Sequence, residues 1–218
     1  MNDYLALLCD LDMTLVDSRA DIATAIAHSA RTVCEATLRH EDVVPLIGRS
    51  LYEMFLKLLP PEHKGQIAAC VEEYKRFFFD HCAVQTRPYP GVIETLTTLR
   101  GRGVKTAVAT TKMTFMARRV CELTGLAPLL DHIQGTDDFT PKPDPEVIMR
   151  TCGALRVRPV QTLLIGDTVM DIRAGRAAGC GIVAAVSYGI GTVEELTAAE
   201  PDRLLDSFDL LATVNSAD

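Results

Sequence analysis

Two carboxylates stand almost side by side at the end of an apolar run. Residues 4–9 (YLALLC) are followed at once by Asp10 and, one residue later, by Asp12. Two charges placed this way repel unless a cation or a proton resolves them. A hard divalent cation such as magnesium favours ionised Asp10. Asp12 can then hold a proton part of the time, as a general acid near neutral pH must. The competing reading is an Asx turn leading out of a strand.

Three further segments carry chemistry. Val108-Ala109 leads into Thr110-Thr111-Lys112. Hydroxyls and the first N–H groups of a following helix can cradle a phosphoryl oxygen, although either threonine could simply cap that helix. In Thr140-Pro141-Lys142-Pro143-Asp144-Pro145 the lysine is stiffened by flanking prolines. A fixed ammonium could neutralise an acidic cluster and developing phosphoryl charge, where the default is a solvated loop lysine. In Ile165-Gly166-Asp167-Thr168-Val169-Met170-Asp171, the two acids are four apart at a helix start. They can share a face, one ligating a cation and the other orienting its ligands. Acids also favour helix N-termini for electrostatic reasons alone.

The elements that must position these residues follow from hydrophobic pattern. Residues 4–9, 104–109, 132–133, 162–165 and 182–186 read as buried strands of a parallel sheet. Helical patterns cover 113–123, 145–152 and 169–178, and the alternation after residue 90 is that of a doubly wound α/β sheet. Residues 18–87 differ. Ile22, Ile26, Ala30 and Val33 share one helical face, as do Leu51, Phe55, Leu58 and Leu59, and also Ile67, Val71, Tyr74, Phe78 and Cys82. The expected organisation is a Rossmann-like core from residues 1–17 and 88–218, with an α-helical cap domain inserted over 18–87. Open α/β sheets bind ligands beyond the carboxyl ends of their strands, which is where all four chemical segments fall.

Composition narrows the class. The chain has 218 residues, 48% hydrophobic and 23% charged, with a formal charge of -7. Net negative charge argues against nucleic-acid or anionic-membrane partners. No apolar run is long enough to span a bilayer, and Met1-Asn2-Asp3-Tyr4 lacks the pattern of a leader. A cytoplasmic protein is expected. Seven cysteines without a C-x-x-C pair suit reduced core thiols. A monomer and a homodimer are equally compatible with the sequence.

The four segments, in this order, resemble the motifs of the haloacid dehalogenase superfamily. The carriers are D-x-D-x-T (Asp10, Asp12, Thr14), Thr110, the K-P at Lys142, and G-D-x-x-x-D from Gly166 to Asp171. Tyr89-Pro90-Gly91-Val92 and the helical insert resemble the phosphoglycolate phosphatase and β-phosphoglucomutase branch. The resemblance implies a phosphoric monoester hydrolase acting on a small phosphorylated metabolite. Asp10 is the implied nucleophile, forming an aspartyl-phosphate, and Asp12 the acid and base. Magnesium is implied at the carboxylates of Asp10 and Asp167 and the main-chain carbonyl of Asp12, with Asp171 in support. Thr14, Thr110, Thr111 and Lys142 are expected to bind the phosphoryl group. The family often has asparagine where Thr111 stands.

Asp12 favours phosphoryl transfer over dehalogenation, which needs no second acid. Phosphonate hydrolysis needs a cap lysine over the site, and Lys57, Lys64 and Lys75 lie outside the expected loop, 46–50. In that loop Arg49 could pair with a substrate carboxylate or second phosphate, or be a surface arginine beside a capping turn. Phosphoglycolate ranks first among substrates. A sugar phosphomutase, a pyrophosphatase and a non-catalytic phosphometabolite-binding protein are the alternatives, the last disfavoured by retention of both Asp10 and Asp12.

Overall fold

The computed structural model describes residues 4–214, so Met1–Asp3, where no leader pattern is read, lie outside the described residues. In chain order the strands are β1 (Ala6–Cys9), β2 (Val16–Asp17), β3 (Arg87–Pro88), β4 (Lys105–Ala109), β5 (His132–Gln134), β6 (Thr162–Gly166), β7 (Ile182–Val186) and β8 (Arg203–Leu205). The α-helices are α1 (Arg19–Cys34), α2 (His40–Val43), α3 (Leu51–Leu58), α4 (Ile67–His81), α5 (Val92–Gly101), α6 (Thr114–Leu123), α7 (Glu146–Leu155), α8 (Val169–Ala178) and α9 (Val193–Ala198). Six strands form one sheet in the order β5-β4-β1-β6-β7-β8, and every pairing is parallel.

Both faces of this sheet are covered, which is why its strands are apolar throughout rather than alternating. Leu7 and Cys9 of β1 pack into one apolar cluster with α5 and α6 residues such as Leu96 and Val120. Ala6 and Leu8 pack into the other with Val147 of α7 and Ile172 of α8. The expected doubly wound sheet is therefore present. Two expected strand starts shift by a residue or two, and β8 joins the edge without having been foreseen. Thr110 and Thr111 do not cap α6. Its first turn begins after Met113, and Asp137 takes hydrogen bonds from the Thr114 N–H and hydroxyl.

Residues 18–87 contain α1 to α4 and contribute no strand to the six-stranded sheet. Their helices bury one face each, with Ile22, Ile26, Phe55, Tyr74 and Phe78 in the interior. Where the chain leaves and rejoins the sheet region, β2 and β3 pair antiparallel, Val16 opposite Pro88 and Asp17 opposite Arg87. A two-residue ladder is weak by itself. Buried Asp21 of α1 reinforces it by accepting hydrogen bonds from the N–H groups of Gln85 and Thr86 and from the Thr86 hydroxyl, at 2.7–3.1 Å. All seven cysteines are free and buried. No helix among the described residues is long and apolar enough to cross a membrane.

Removing the Asp21 carboxylate strands two main-chain donors and a hydroxyl. Asp21→Ala should lower unfolding free energy by about 2–3 kcal/mol, measured by urea denaturation. A change below about 0.5 kcal/mol, the level of an ordinary surface substitution, would remove this clamp from the account.

Candidate active site

Strand register brings the chemical segments together. Cys9 of β1 lies opposite Val108 of β4 and Ile165 of β6. The next residues outward are Asp10, Ala109 and Gly166, and one step further are Thr110 and Asp167. β1 is central, so Asp10 has a neighbour on each side. Its N–H bonds the Ile165 carbonyl at 2.9 Å, and the Thr110 N–H bonds Gln134 of β5 at 3.0 Å.

Lys142 lies behind Asp10. Its Nζ donates to Asp10 Oδ1 at 2.8 Å and to Asp171 Oδ1 at 2.6 Å, and its side chain is 2% exposed. The other oxygen of Asp171 accepts from the N–H and hydroxyl of Thr168 at the start of α8. Both oxygens of Asp171 thus accept hydrogen bonds, and Lys142 ties it to Asp10. Gly166 makes this possible, because a Cβ there would meet the Asp171 side chain at 2.3 Å.

Asp167 is held from two sides. The Thr14 hydroxyl donates to its Oδ1 at 3.1 Å, and the Ile190 N–H to its Oδ2 at 2.8 Å. This corrects the expectation for Thr14. It is fully buried and its hydroxyl positions Asp167, so it does not bind the phosphoryl group directly. The loop after β7 was not singled out in the sequence. Besides Ile190 it supplies Tyr188, whose hydroxyl donates to the Thr14 carbonyl at 2.7 Å. It also supplies Gly189, where a Cβ would come within 2.2 Å of the Asp167 Cβ. No pattern marks these residues beforehand, since their roles arise from tertiary contact alone.

Asp12 has other partners. The Ser18 hydroxyl donates to its Oδ1 at 2.7 Å, and Lys112 Nζ lies 3.0 Å from its Oδ2. Lys112 is nearly buried and sits 4.3 Å from the centre of the Phe78 ring. Neither Ser18 nor Lys112 stands out in the sequence as a site residue.

A cavity of about 270 Å³ opens onto Asp10, Asp12, Thr110 and Thr111. Ile22, Met54, Val71 and Tyr74 form part of its apolar wall, and Arg49 and Lys75 reach it from the helical segment. Lys75 thus borders the chamber although it lies outside the 46–50 loop, and Glu72 pairs with it at 2.6 Å. Arg49 is exposed and forms no ion pair or side-chain hydrogen bond among the described residues.

Burial governs the electrostatics. It pushes the pKa of Asp10 up to about 7, with Lys142 opposing and Asp171 and Asp12 adding to the rise. Asp167 is also raised, by burial first and then by the charges of Asp171 and Asp10. Burial works against the Lys142 ammonium, but Asp10 and Asp171 outweigh it and hold its proton in place. One lysine cannot neutralise three buried carboxylates. Among the described residues no three His, Cys, Asp or Glu converge as a ready-made metal cluster. Magnesium takes one or two carboxylates and completes its shell with water and phosphate oxygens. Asp10 and Asp167, mutually repelling and short of positive charge, fit that demand. Asp12 fits only through its main-chain carbonyl, since its carboxylate is engaged elsewhere.

This geometry is that of a phosphoryl-transfer hydrolase on a doubly wound sheet. Residues 7–185 match the family model described as haloacid dehalogenase-like hydrolase, and the chain belongs to that family. It is 32% identical to the pyrophosphatase PpaX of Bacillus velezensis over 94% of each chain. It is 31% identical to the phosphoglycolate phosphatase of Aquifex aeolicus over 79% of this chain and 80% of that one. A putative haloacid dehalogenase-like hydrolase from Bacteroides fragilis superposes with a TM-score of 0.86 at 27% identity, covering 95% of this chain and 99% of that one. The chain is a hydrolase of the phosphatase kind.

The raised pKa values set a pH dependence. Without metal, the native state binds protons at Asp10 and Asp167 more tightly than the unfolded chain does. The contribution of Asp10 is fully present below the ordinary carboxylate value of 3.8 and is lost as pH rises through about 7, and that of Asp167 is lost in the same direction. Divalent binding to the ionised acids reverses the loss. Thermal melts with chelator should show Tm falling between about pH 5.5 and pH 8. Added magnesium should raise Tm more at the higher pH, and an equal rise at both would refute this pairing of acids and metal.

Proposed function

We propose that this chain hydrolyses a small phosphate ester through an aspartyl-phosphate at Asp10, with magnesium as cofactor. The carrying observation is the placement of Asp10. It is buried at the end of the central strand, tied through one oxygen to Lys142, and open to the cavity. Oδ2 accepts no hydrogen bond from the described residues. In the first step an Asp10 oxygen bonds to phosphorus as the ester P–O bond breaks, and Asp12 gives its proton to the leaving oxygen. In the second, water attacks phosphorus, Asp12 takes a proton from it, and the Asp10–phosphorus bond breaks to release phosphate. Lys142 holds Asp10 in place, and Thr110 and Thr111 line the wall where the phosphoryl oxygens come to rest. Bound magnesium supplies charge neutralisation between the acids and the phosphoryl group.

In this reading residues 18–87 act as a cap domain on a core of 1–17 and 88–218, and the cavity lies at their junction. Arg49 is the unpaired cation at the cavity, because Lys75 and Lys112 already have carboxylate partners. One guanidinium suits a single carboxylate on the leaving group, which supports 2-phosphoglycolate as the substrate. Pyrophosphate is the second reading, favoured by the similarity to PpaX along nearly the whole chain. A small metabolite in a cytoplasmic setting fits either substrate.

Asp10→Asn should reduce kcat for every phosphate substrate by at least about 1000-fold, as loss of a covalent nucleophile does. Phosphate release measured with magnesium decides it, and near-native turnover would end the nucleophile assignment. Arg49→Ala should lower kcat/KM for phosphoglycolate by about 10-fold or more, a lost charge-assisted pair, and leave phenyl phosphate within about 2-fold. Equal losses on both would take Arg49 out of substrate recognition.

A further inference from the structure

The acids of this site are held by two different sets of partners. Asp10, Asp167 and Asp171 bond to Lys142, Thr14, Ile190 and Thr168, which lie in loops at strand ends or at the start of α8. Asp12 shares none of these side-chain partners. Its carboxylate is spanned by the Ser18 hydroxyl at 2.7 Å and the Lys112 ammonium at 3.0 Å, one donor on each oxygen. An aspartate side chain has two free torsions, and two donors on opposite oxygens fix both. Ser18 is fully buried at the start of α1, while Lys112 is held on its other side by the face of the Phe78 ring. Phe78 in turn stacks on Tyr74 at 5.1 Å between ring centres. A long flexible side chain is thus immobilised by a carboxylate and a ring, an arrangement that gains from being out of water.

We propose that Lys112 is a positioning residue for the acid–base carboxylate of Asp12, its ammonium held in register by the ring of Phe78. This rests on the role assigned to Asp12 above. Lys112 need not touch the substrate to act this way. Loss of its ammonium leaves Ser18 as a single anchor, and the carboxylate is free to rotate about it. Proton delivery to the leaving oxygen needs heavy atoms within hydrogen-bond reach. The defect should therefore appear in proportion to how much the leaving group needs its proton.

The test uses two esters without a second anionic group. 4-Nitrophenyl phosphate expels a stable anion, whereas propyl phosphate expels an alkoxide that must be protonated. Lys112→Met keeps the stem length and removes the charge. It should lower kcat/KM, which reports only through formation of the aspartyl-phosphate, by about 10- to 100-fold for propyl phosphate, at or below the low end of general-acid contributions, and by less than about 3-fold for 4-nitrophenyl phosphate. Lys112→Arg restores a cation that can face both carboxylate and ring, and should recover most of the loss. Phe78→Leu, which keeps apolar volume but not the ring face, should give the same selectivity at smaller size and serves if Lys112→Met folds poorly.

Equal kcat/KM losses on both esters would overturn the proposal, as would a rise in KM with kcat preserved. The latter would mean that Lys112 binds substrate itself. Asp12→Asn, assayed alongside, separates the two levels of inference. A selective loss in Asp12→Asn without one in Lys112→Met removes Lys112 alone. A loss of kcat/KM in Asp12→Asn that is equal on both esters removes the acid role, and the positioning claim with it.

Discussion

Three carboxylates and one ammonium share a buried site at the carboxyl edge of the sheet, and the rest of the molecule is arranged around that imbalance. Burial of like charges is tolerated only where hydrogen bonds and counter-charges are placed in advance. Lys142 supplies one counter-charge and binds two of the acids. The remaining deficit, with burial, raises the proton affinity of Asp10 and Asp167, and a divalent cation competes with protons for the same oxygens. An acidic site short of positive charge in this way favours a divalent cation, which relieves the repulsion already present.

Such an arrangement needs a rigid frame, and parallel pairing provides it. β1 has a strand on each side in matched register, so Asp10 is flanked by the loops that carry Thr110 and Asp167. Support then passes outward. Thr14 and Ile190 hold Asp167, and Tyr188 holds the backbone of Thr14. Thr168 holds Asp171, which holds Lys142, which holds Asp10. Each contact costs little by itself. As a connected network the contacts restrict every member to one geometry, and satisfied buried polar groups rigidify a core in this way.

The sequence made the strand-end acids legible for a simple reason. Charge directly after a buried run is costly, so Asp10, Asp12, Asp167 and Asp171 stand out against the apolar residues before them. β7 and α8 run over the residues expected, because each has a clear period and a clear stop. The parts that were missed are those set by contact at a distance. Thr14 follows the acids and resembles a ligand-binding hydroxyl, yet its partner is 153 residues away. Ser18 and Lys112 look like an ordinary helix start and an ordinary loop cation. Only folding shows that both reach Asp12. The residues around Gly189 form no motif, and what matters there is the space between one backbone and the Asp167 side chain. β2, β3 and β8 are two or three residues long, too short to show a period.

The division of partners has a chemical consequence. The groups proposed to meet the phosphoryl group, which is common to all substrates, are fixed by strand ends and by loops bonded to one another. In the proposed mechanism Asp12 meets the variable leaving group, and it is fixed from Ser18 at the start of the helical segment and from Lys112 packed on a ring of that segment. The apolar wall of the cavity and Arg49 also come from that segment in large part. A substitution in α1, α3 or α4 can therefore alter which leaving group fits and how its proton arrives without disturbing the buried acids. The reverse does not hold. A change at Thr14, Gly166 or Lys142 acts on the charge balance itself, and no adjustment in the helical segment can supply the missing donor to a carboxylate it does not touch. Specificity can thus vary on this scaffold while the phosphoryl chemistry stays fixed, because few side chains take part in both.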